Sequence, residues 1–260
     1  MKAMIFAAGK GTRLKPLTDD MPKALVPMCG KPLLAHVIEK LKAAGYREIV
    51  INVHHFADMI EDYVRENGSF GLDIEFSDER DLLRETGGGI LHARRLLEPD
   101  NFIVHNVDII SDLDIASLAE ALRPGALAAL AVSERKSSRY LLFDEDMRLA
   151  GWMNESTGEV RSPYLEAGVP DGNGGTRPFR PEEYRRLAFS GIHAVSSGIF
   201  PLMEDYASAS GPRFPIMDFY LGICGRFPVY GMLQKSLRLM DVGKIETLSE
   251  AEKLCAELLY

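Results

Sequence analysis

The chain opens with Ala3-Met4-Ile5-Phe6-Ala7-Ala8-Gly9-Lys10-Gly11-Thr12-Arg13, and Pro22-Lys23 follows a short way on. An apolar run that ends in a glycine-rich basic loop reads as a strand whose C-terminal edge carries backbone N–H groups and cations. The glycines let the backbone approach a ligand, and Arg13 and Lys23 supply positive charge. Together they make a cradle for a polyphosphate. Two commoner phosphate loops do not fit. Walker A needs four residues between its first glycine and a Gly-Lys-Ser/Thr string, which the chain lacks, and a dinucleotide fingerprint needs glycine where Leu14 stands.

Outward from this loop, strands and helices alternate. Lys31 to Ala44 carries a helical stripe of Leu33, Leu34, Val37, Ile38 and Leu41, closed by Gly45. Glu48 to Val53 reads as a strand, Ala57 to Arg65 as a helix and Leu72 to Phe76 as a strand. Thr86-Gly87-Gly88-Gly89 opens a helix, and Asn101 to His105 is a buried strand leading into Asn106-Val107-Asp108. This rhythm predicts βαβ units and a mostly parallel α/β sheet with helices on both faces and ligand at the strand C-terminal ends. From Ala128 the rhythm changes to short strands at Ala128 to Ser133, Tyr140 to Phe143 and Leu149 to Met153, then a turn-rich loop from Pro163 to Pro181. Leu187 to Val195 resumes as a strand, and helices are expected at Phe200 to Tyr206, Ile216 to Gly225 and Lys244 to Leu258. The expectation is one domain over residues 1–260, with a small β-rich insertion or lid over 134–186.

Composition narrows the function classes. With 46% hydrophobic and 26% charged residues the chain reads as an ordinary globular protein. A net charge of −8 argues against nucleic acid as a partner and leaves room for a nucleotide, which needs only a local positive loop. Cys29, Cys224 and Cys255 have no metal-like spacing and read as reduced, buried thiols. The apolar run before Gly9 is too short for a signal-peptide core and no run reaches membrane-spanning length, so a cytoplasmic protein with no membrane partner is expected. The sequence carries no signature of an oligomeric state.

Two aspartates are placed for a metal. Asp108 directly follows a buried strand, on the same sheet edge as the first loop, and Asp241 precedes the last helix. Mg²⁺ takes one or two carboxylates together with phosphate oxygens. The alternatives are a strand-end turn for Asp108 and a helix N-cap for Asp241. Gly87, Gly88 and Gly89 at a helix start disfavour the helix by about 1 kcal/mol each relative to Ala, so a close approach must favour them, such as a flat base on the backbone. The other reading is a plain helix-entry turn. Gly191, within Phe189-Ser190-Gly191-Ile192, either leaves room for a ligand or marks a bulge. His105 reads as a core imidazole, and the remaining histidines lack ligand spacing.

The pattern Ala-Ala-Gly-Lys-Gly-Thr-Arg-Leu, then Pro16-Leu17-Thr18, then Pro22-Lys23-Ala24-Leu25-Val26-Pro27, resembles the sugar-1-phosphate nucleotidylyltransferases. Glu85-Thr86-Gly87-Gly88-Gly89-Ile90 is similar to the base loop of their uridylyl- and guanylyltransferase branches, above all the N-acetylmuramate 1-phosphate and mannose-1-phosphate types. The resemblance implies a Rossmann-like fold of the nucleotide-diphospho-sugar transferase type. It also implies attack of a sugar 1-phosphate on the α-phosphorus of an NTP, UTP before GTP, with loss of pyrophosphate. Nucleotide contacts would come from Ala7, Ala8, Gly9, Gly11, Thr12, Arg13, Lys23, Glu85, Thr86, Gly87, Gly88 and Asn106. Arg13 and Lys23 would be catalytic, Asp108 and Asp241 would hold Mg²⁺, and Ser190 and Gly191 would face the sugar. Three positions depart from the family pattern: Val107 replaces glycine, Leu239 replaces tryptophan and Lys244 replaces threonine. They keep open a catalytically weak regulatory homologue. A glycosyltransferase is the other alternative, disfavoured because Asn106-Val107-Asp108 is not Asp-x-Asp.

Overall fold

A computed structural model describes residues 1–172, 174–243 and 247–259. Four parallel strands form its centre: β1 (Lys2–Phe6), β2 (Glu48–Val53), β3 (Asp73–Asp78) and β4 (Phe102–Asn106), in the order β4-β1-β2-β3. Side chains alternate across these strands, and β1, β2 and β4, covered on both faces, read as continuous apolar runs, whereas β3 at the edge alternates polar and apolar residues. On one face Ala3, Ile5, Ile49, Ile51 and Ile103 pack with α1 (Leu33–Ala43) and α2 (Ala57–Glu66). On the other, Met4, Val50, Phe102 and Val104 pack with α3 (Glu85–His92), α4 (Phe200–Ser210) and α5 (Ile216–Ile223).

Beyond β4 the sheet turns antiparallel. A short strand β5 (Ile109–Ser111) leaves the edge just after Asp108. Strands β6 (Ala128–Ser133), β7 (Arg139–Phe143) and β8 (Leu149–Asn154) precede the eleven-residue β9 (Arg185–Val195). The C-terminal half of β9 pairs with β4 and β6, and its first three residues pair with β7, so the strands after Ala128 continue the same sheet. Its register against β6 shifts between Phe189 and His193, a bulge at Gly191, where φ is +76°. Strand β10 (Val229–Leu233) lies parallel to β6.

Two segments differ from the sequence-based expectation. Residues 163–181 carry a helical turn, Tyr164–Ala167, and a ribbon of Val169–Pro170 against Thr176–Arg177. Asp241 does not cap a helix: it ends strand β11 (Leu239–Asp241), which pairs with β5, and helix α6 begins at Leu248. Lys244 lies outside the described residues. No helix among the described residues is long and apolar enough to cross a membrane.

Candidate active site

The C-terminal ends of β1, β2 and β4 open onto a cleft of about 340 Å³, within the size range of small-ligand sites. Ala7, Ala8, Gly9, Gly11, Thr12, Arg13, Lys23, Glu85, Thr86, Asn106 and Asp108 all line it. The first loop is open where a ligand would lie, since a Cβ on Gly9 would have nothing within 4 Å. It is rigid where it turns. Gly11 has φ +63°, its carbonyl accepts from the Thr18 hydroxyl at 2.8 Å and the Leu14 N–H at 2.8 Å, and a Cβ there would lie 2.9 Å from Thr18. Only glycine meets both demands at position 11.

Lys23 reaches across this loop to form an ion pair with Asp108, and the two side chains are only 11% and 19% exposed. Asp108 belongs to the β5–β11 ribbon: its carbonyl accepts the Val242 N–H at 2.8 Å, and Ile109 pairs with Asp241. The two carboxylate residues thus sit side by side on neighbouring strands. Asp241 is exposed as a residue, yet its carboxyl is raised above the usual range by partial burial first and by the Asp108 charge second. Lys23, Arg13 and Arg135 act against that rise. Arg13 also crowds the position a Cβ of Gly243 would take, at 3.1 Å. Among the described residues no group of three His, Cys, Asp or Glu side chains could hold a metal. Two oxygen ligands under mutual repulsion fit a hard cation shared with ligand phosphates and do not fit a protein-only cage.

The second loop is built differently. Gly87 and Gly88 do not line the cleft: both donate their N–H to the Phe214 carbonyl, at 2.9 and 3.1 Å. A Cβ on Gly87 would fall 2.5 Å from the Phe214 ring, and one on Gly88 would fall 2.2 Å from the Pro212 carbonyl oxygen. The close approach that favours these glycines is made by the chain at 212–214. The Thr86 hydroxyl accepts from the Ile216 N–H at 2.9 Å, and Glu85, with φ +63°, pairs with Arg213 at 3.0 Å. Glu85, Thr86 and Leu83 are the residues here that face the cleft.

The sugar-side expectation also changes. Ser190 is 1% exposed and its hydroxyl donates to the Ala131 carbonyl at 2.7 Å, so it holds β9 to β6 and is not presented to a ligand. Gly191 makes room for Asn106, whose Nδ2 would lie 2.7 Å from a Cβ there. Val107 keeps an ordinary backbone and packs into the core beside Ile109, so this departure from the family pattern fits without a glycine's freedom. His105 is fully buried, with Nδ1 within 2.8 Å of the Asn106 carbonyl oxygen, and burial pushes its pKa down to about 4.

Besides Leu83, sequence reasoning missed three polar residues. Asn52, at the cleft wall, accepts the Ala7 and Ala8 N–H groups. Glu79 bonds Asn52 from behind. Arg135 donates to the Phe189 carbonyl at 2.9 Å and lies close enough to Asp241 to act on its charge. A polar residue at the ligand end of the β-branched run Glu48 to Val53 was the signal available for Asn52.

An open α/β sheet with a glycine loop, paired cations and paired carboxylates at its C-terminal edge defines a Rossmann-like α/β protein with a charged cleft at its strand ends. The chain belongs to the nucleotidyl transferase family, whose profile matches residues 2–140. It is 49% identical over 110 residues to the N-acetylmuramate alpha-1-phosphate uridylyltransferase of Caulobacter vibrioides, a match covering 42% of this chain and 46% of that protein. It is 29% identical over 269 positions to the UTP–glucose-1-phosphate uridylyltransferase of a Synechocystis species, covering 95% of this chain and 67% of the relative. The matched stretch therefore spans about half of the Caulobacter protein and two thirds of the Synechocystis one. The fold is shared with a UDP-glucose pyrophosphorylase solved with UDP-glucose (TM-score 0.74, 18% identity, 99% of each chain). HddC of Yersinia pseudotuberculosis, solved with GMP-PN, shares it too (TM-score 0.71, 24% identity, 99% of each chain).

Proposed function

We propose that the chain is a sugar-1-phosphate nucleotidylyltransferase that joins an NTP to a sugar 1-phosphate and releases pyrophosphate. The observation that carries this reading is the Lys23–Asp108 ion pair at the mouth of the glycine loop, with Asp241 on the adjoining strand. Transfer of a nucleotidyl group needs positioning and charge neutralisation, because the attacking phosphate oxygen is already ionised. Gly9, Gly11 and Thr12 wrap the triphosphate, and Arg13 holds the departing pyrophosphate with its planar donor fork. Lys23 moves from Asp108 to the α-phosphate, where charge rearranges in the transition state. Asp108 and Asp241 would hold Mg²⁺, which when bound supplies charge neutralisation of the phosphate oxygens. Glu85, Thr86 and Leu83 border the base, and Arg135 with the strands of 134–186 borders the sugar. UTP is the first choice of base, from the similarity to the uridylyltransferases, and an amino sugar of the muramate type is the first choice of sugar.

The test is pyrophosphate release from UTP, GTP, ATP, CTP and dTTP, each against a panel of sugar 1-phosphates with Mg²⁺. Release with one pairing, lost in Asp108→Asn and Asp241→Asn, is the expected result. Nucleotide binding without release across the panel would favour the regulatory homologue.

A further inference from the structure

We propose that Asn52 and Glu79 form a buried positioning pair that ties the two nucleotide loops together and sets affinity for the nucleotide but not for the sugar phosphate. The proposal rests on the reading of the cleft as a nucleotide site. Asn52 is 3% exposed and Glu79 is 0% exposed. The Asn52 Oδ1 accepts the Ala7 N–H at 2.8 Å and the Ala8 N–H at 3.3 Å, while its Nδ2 donates to Glu79 Oε1 at 2.8 Å. Two N–H groups require the oxygen on one side and a carboxylate requires the nitrogen on the other, so the amide has one orientation. The second Glu79 oxygen accepts the Arg84 N–H at 3.0 Å, one residue before Glu85. A continuous chain of bonds therefore runs from the backbone entering the first loop, through Asn52 and Glu79, to the backbone entering the second.

Two further observations support a positioning role. Asn52 borders the cleft, but its oxygen is already shared by two backbone donors. It acts through the loop and does not meet ligand through that oxygen. Gly89 leaves the space the pair occupies, since a Cβ there would lie 2.9 Å from Glu79 Oε1 and 3.3 Å from Asn52 Nδ2. The third glycine of the Gly87-Gly88-Gly89 string thus serves this pair, as the first two serve residues 212–214. Cutting the link at either residue leaves buried donors or acceptors unmatched, and the strain falls on Ala7, Ala8 and Arg84, all at nucleotide-loop entrances.

The test combines kinetics with a measurement that needs no substrate. Loss of the link is expected to raise the nucleotide KM about tenfold in Glu79→Ala, of the order of one buried hydrogen bond, while the sugar-phosphate KM stays within about twofold. Glu79→Gln, whose single amide oxygen can serve Asn52 Nδ2 but whose NH2 cannot accept the Arg84 N–H, is expected to recover only part of the nucleotide affinity and to fall between wild type and Glu79→Ala. Asn52→Asp, which sets two carboxylates together, is expected to be worse than Glu79→Ala. In the ligand-free protein, amide exchange at Ala7 and Ala8 should accelerate in Glu79→Ala, although Glu79 bonds neither group. That exchange result stands whether or not the chain is a transferase. Unchanged exchange at Ala7 and Ala8 would overturn the proposal. So would a rise of both KM values in step with a lowered melting temperature, the mark of a merely structural residue. Should Glu79→Ala not fold, Asn52→Ser cuts the same link more gently and must show the same split.

Discussion

The two glycine loops look alike in sequence and are opposite in structure. Around Gly9 there is empty space, the backbone turns on Gly11, and the flanking cations Arg13 and Lys23 face a cleft. Around Gly87 and Gly88 there is no space at all, because Pro212 to Phe214 fills it with backbone and ring. A glycine string therefore marks close approach, and the approaching group can be ligand or protein. Basic side chains beside the first loop, and their absence within Glu85-Thr86-Gly87-Gly88-Gly89, are what separate the two cases.

The largest expected effect breaks the second loop. Gly88→Ala drives a methyl onto a backbone carbonyl that cannot rotate away, and should destabilise the protein by about 3 kcal/mol or more, read from urea unfolding. Gly87→Ala, which meets the Phe214 ring, should fall somewhat short of that. The first loop is more sensitive in chemistry than in stability. Lys23→Ala should lower kcat by about 10²-fold, the usual loss when one transition-state donor is removed, with the nucleotide KM changing less. Gly9→Ala should leave unfolding within about 0.5 kcal/mol of wild type, as at other uncrowded surface positions, yet weaken nucleotide binding measurably. If Gly9→Ala and Gly88→Ala behaved alike in both assays, the distinction between the loops would fail.

Much of the first loop is legible in the sequence. Each part of the first loop is local: the strand Ala3 to Phe6, the turn at Gly11 and the cations follow one another within a few residues, and periodicity fixes which edge they share. Asp108 was legible for the same reason, as the residue a buried strand delivers to that edge. In the second loop Glu85 and Thr86 do line the cleft, but the place of Gly87 and Gly88 is not legible, because their partner at Pro212 to Phe214 is remote in the sequence and nothing in Gly87-Gly88-Gly89 names it. The role of Ser190 is not legible, because a hydroxyl in a strand gives no sign of whether a neighbouring carbonyl, here that of Ala131, already holds it. For Asp241 the alternative reading as a helix N-cap fails, because Leu239–Asp241 pairs with Ile109–Ser111 as a strand, a contact between segments far apart in the sequence.

Smaller effects sharpen the comparison further. The raised carboxyl of Asp241 means that the folded protein holds a proton there more tightly than the unfolded chain does. Its contribution to stability is present at low pH and is lost as pH rises through the folded value. At neutral pH Asp241→Asn should therefore raise the melting temperature of the ligand-free protein slightly while abolishing activity. Asp108→Asn should show no such gain, because it strips Lys23 of its partner.

A further effect, confined to acid pH, concerns two buried imidazoles. His105 lies on β4 opposite Ile5 of β1, and His193 packs on Tyr220 of α5, the helix set against the second loop. Burial pushes their pKa values down to about 4 and about 3. Between the ordinary histidine value of 6.5 and these, the unfolded chain binds more protons than the folded one, so stability falls as pH is lowered through that window. His193→Leu, measured by urea unfolding at pH 7, 6 and 5, should flatten the decline.

The most direct measurement is amide hydrogen exchange across both loops with and without saturating Mg²⁺–UTP and Mg²⁺–GTP. Nucleotide is expected to slow exchange at Gly9 to Arg13, while Gly87 and Gly88, already bonded to Phe214, keep the protection they have in the free protein. New protection at Gly87 and Gly88 with none at Gly9 to Arg13 would contradict that expectation.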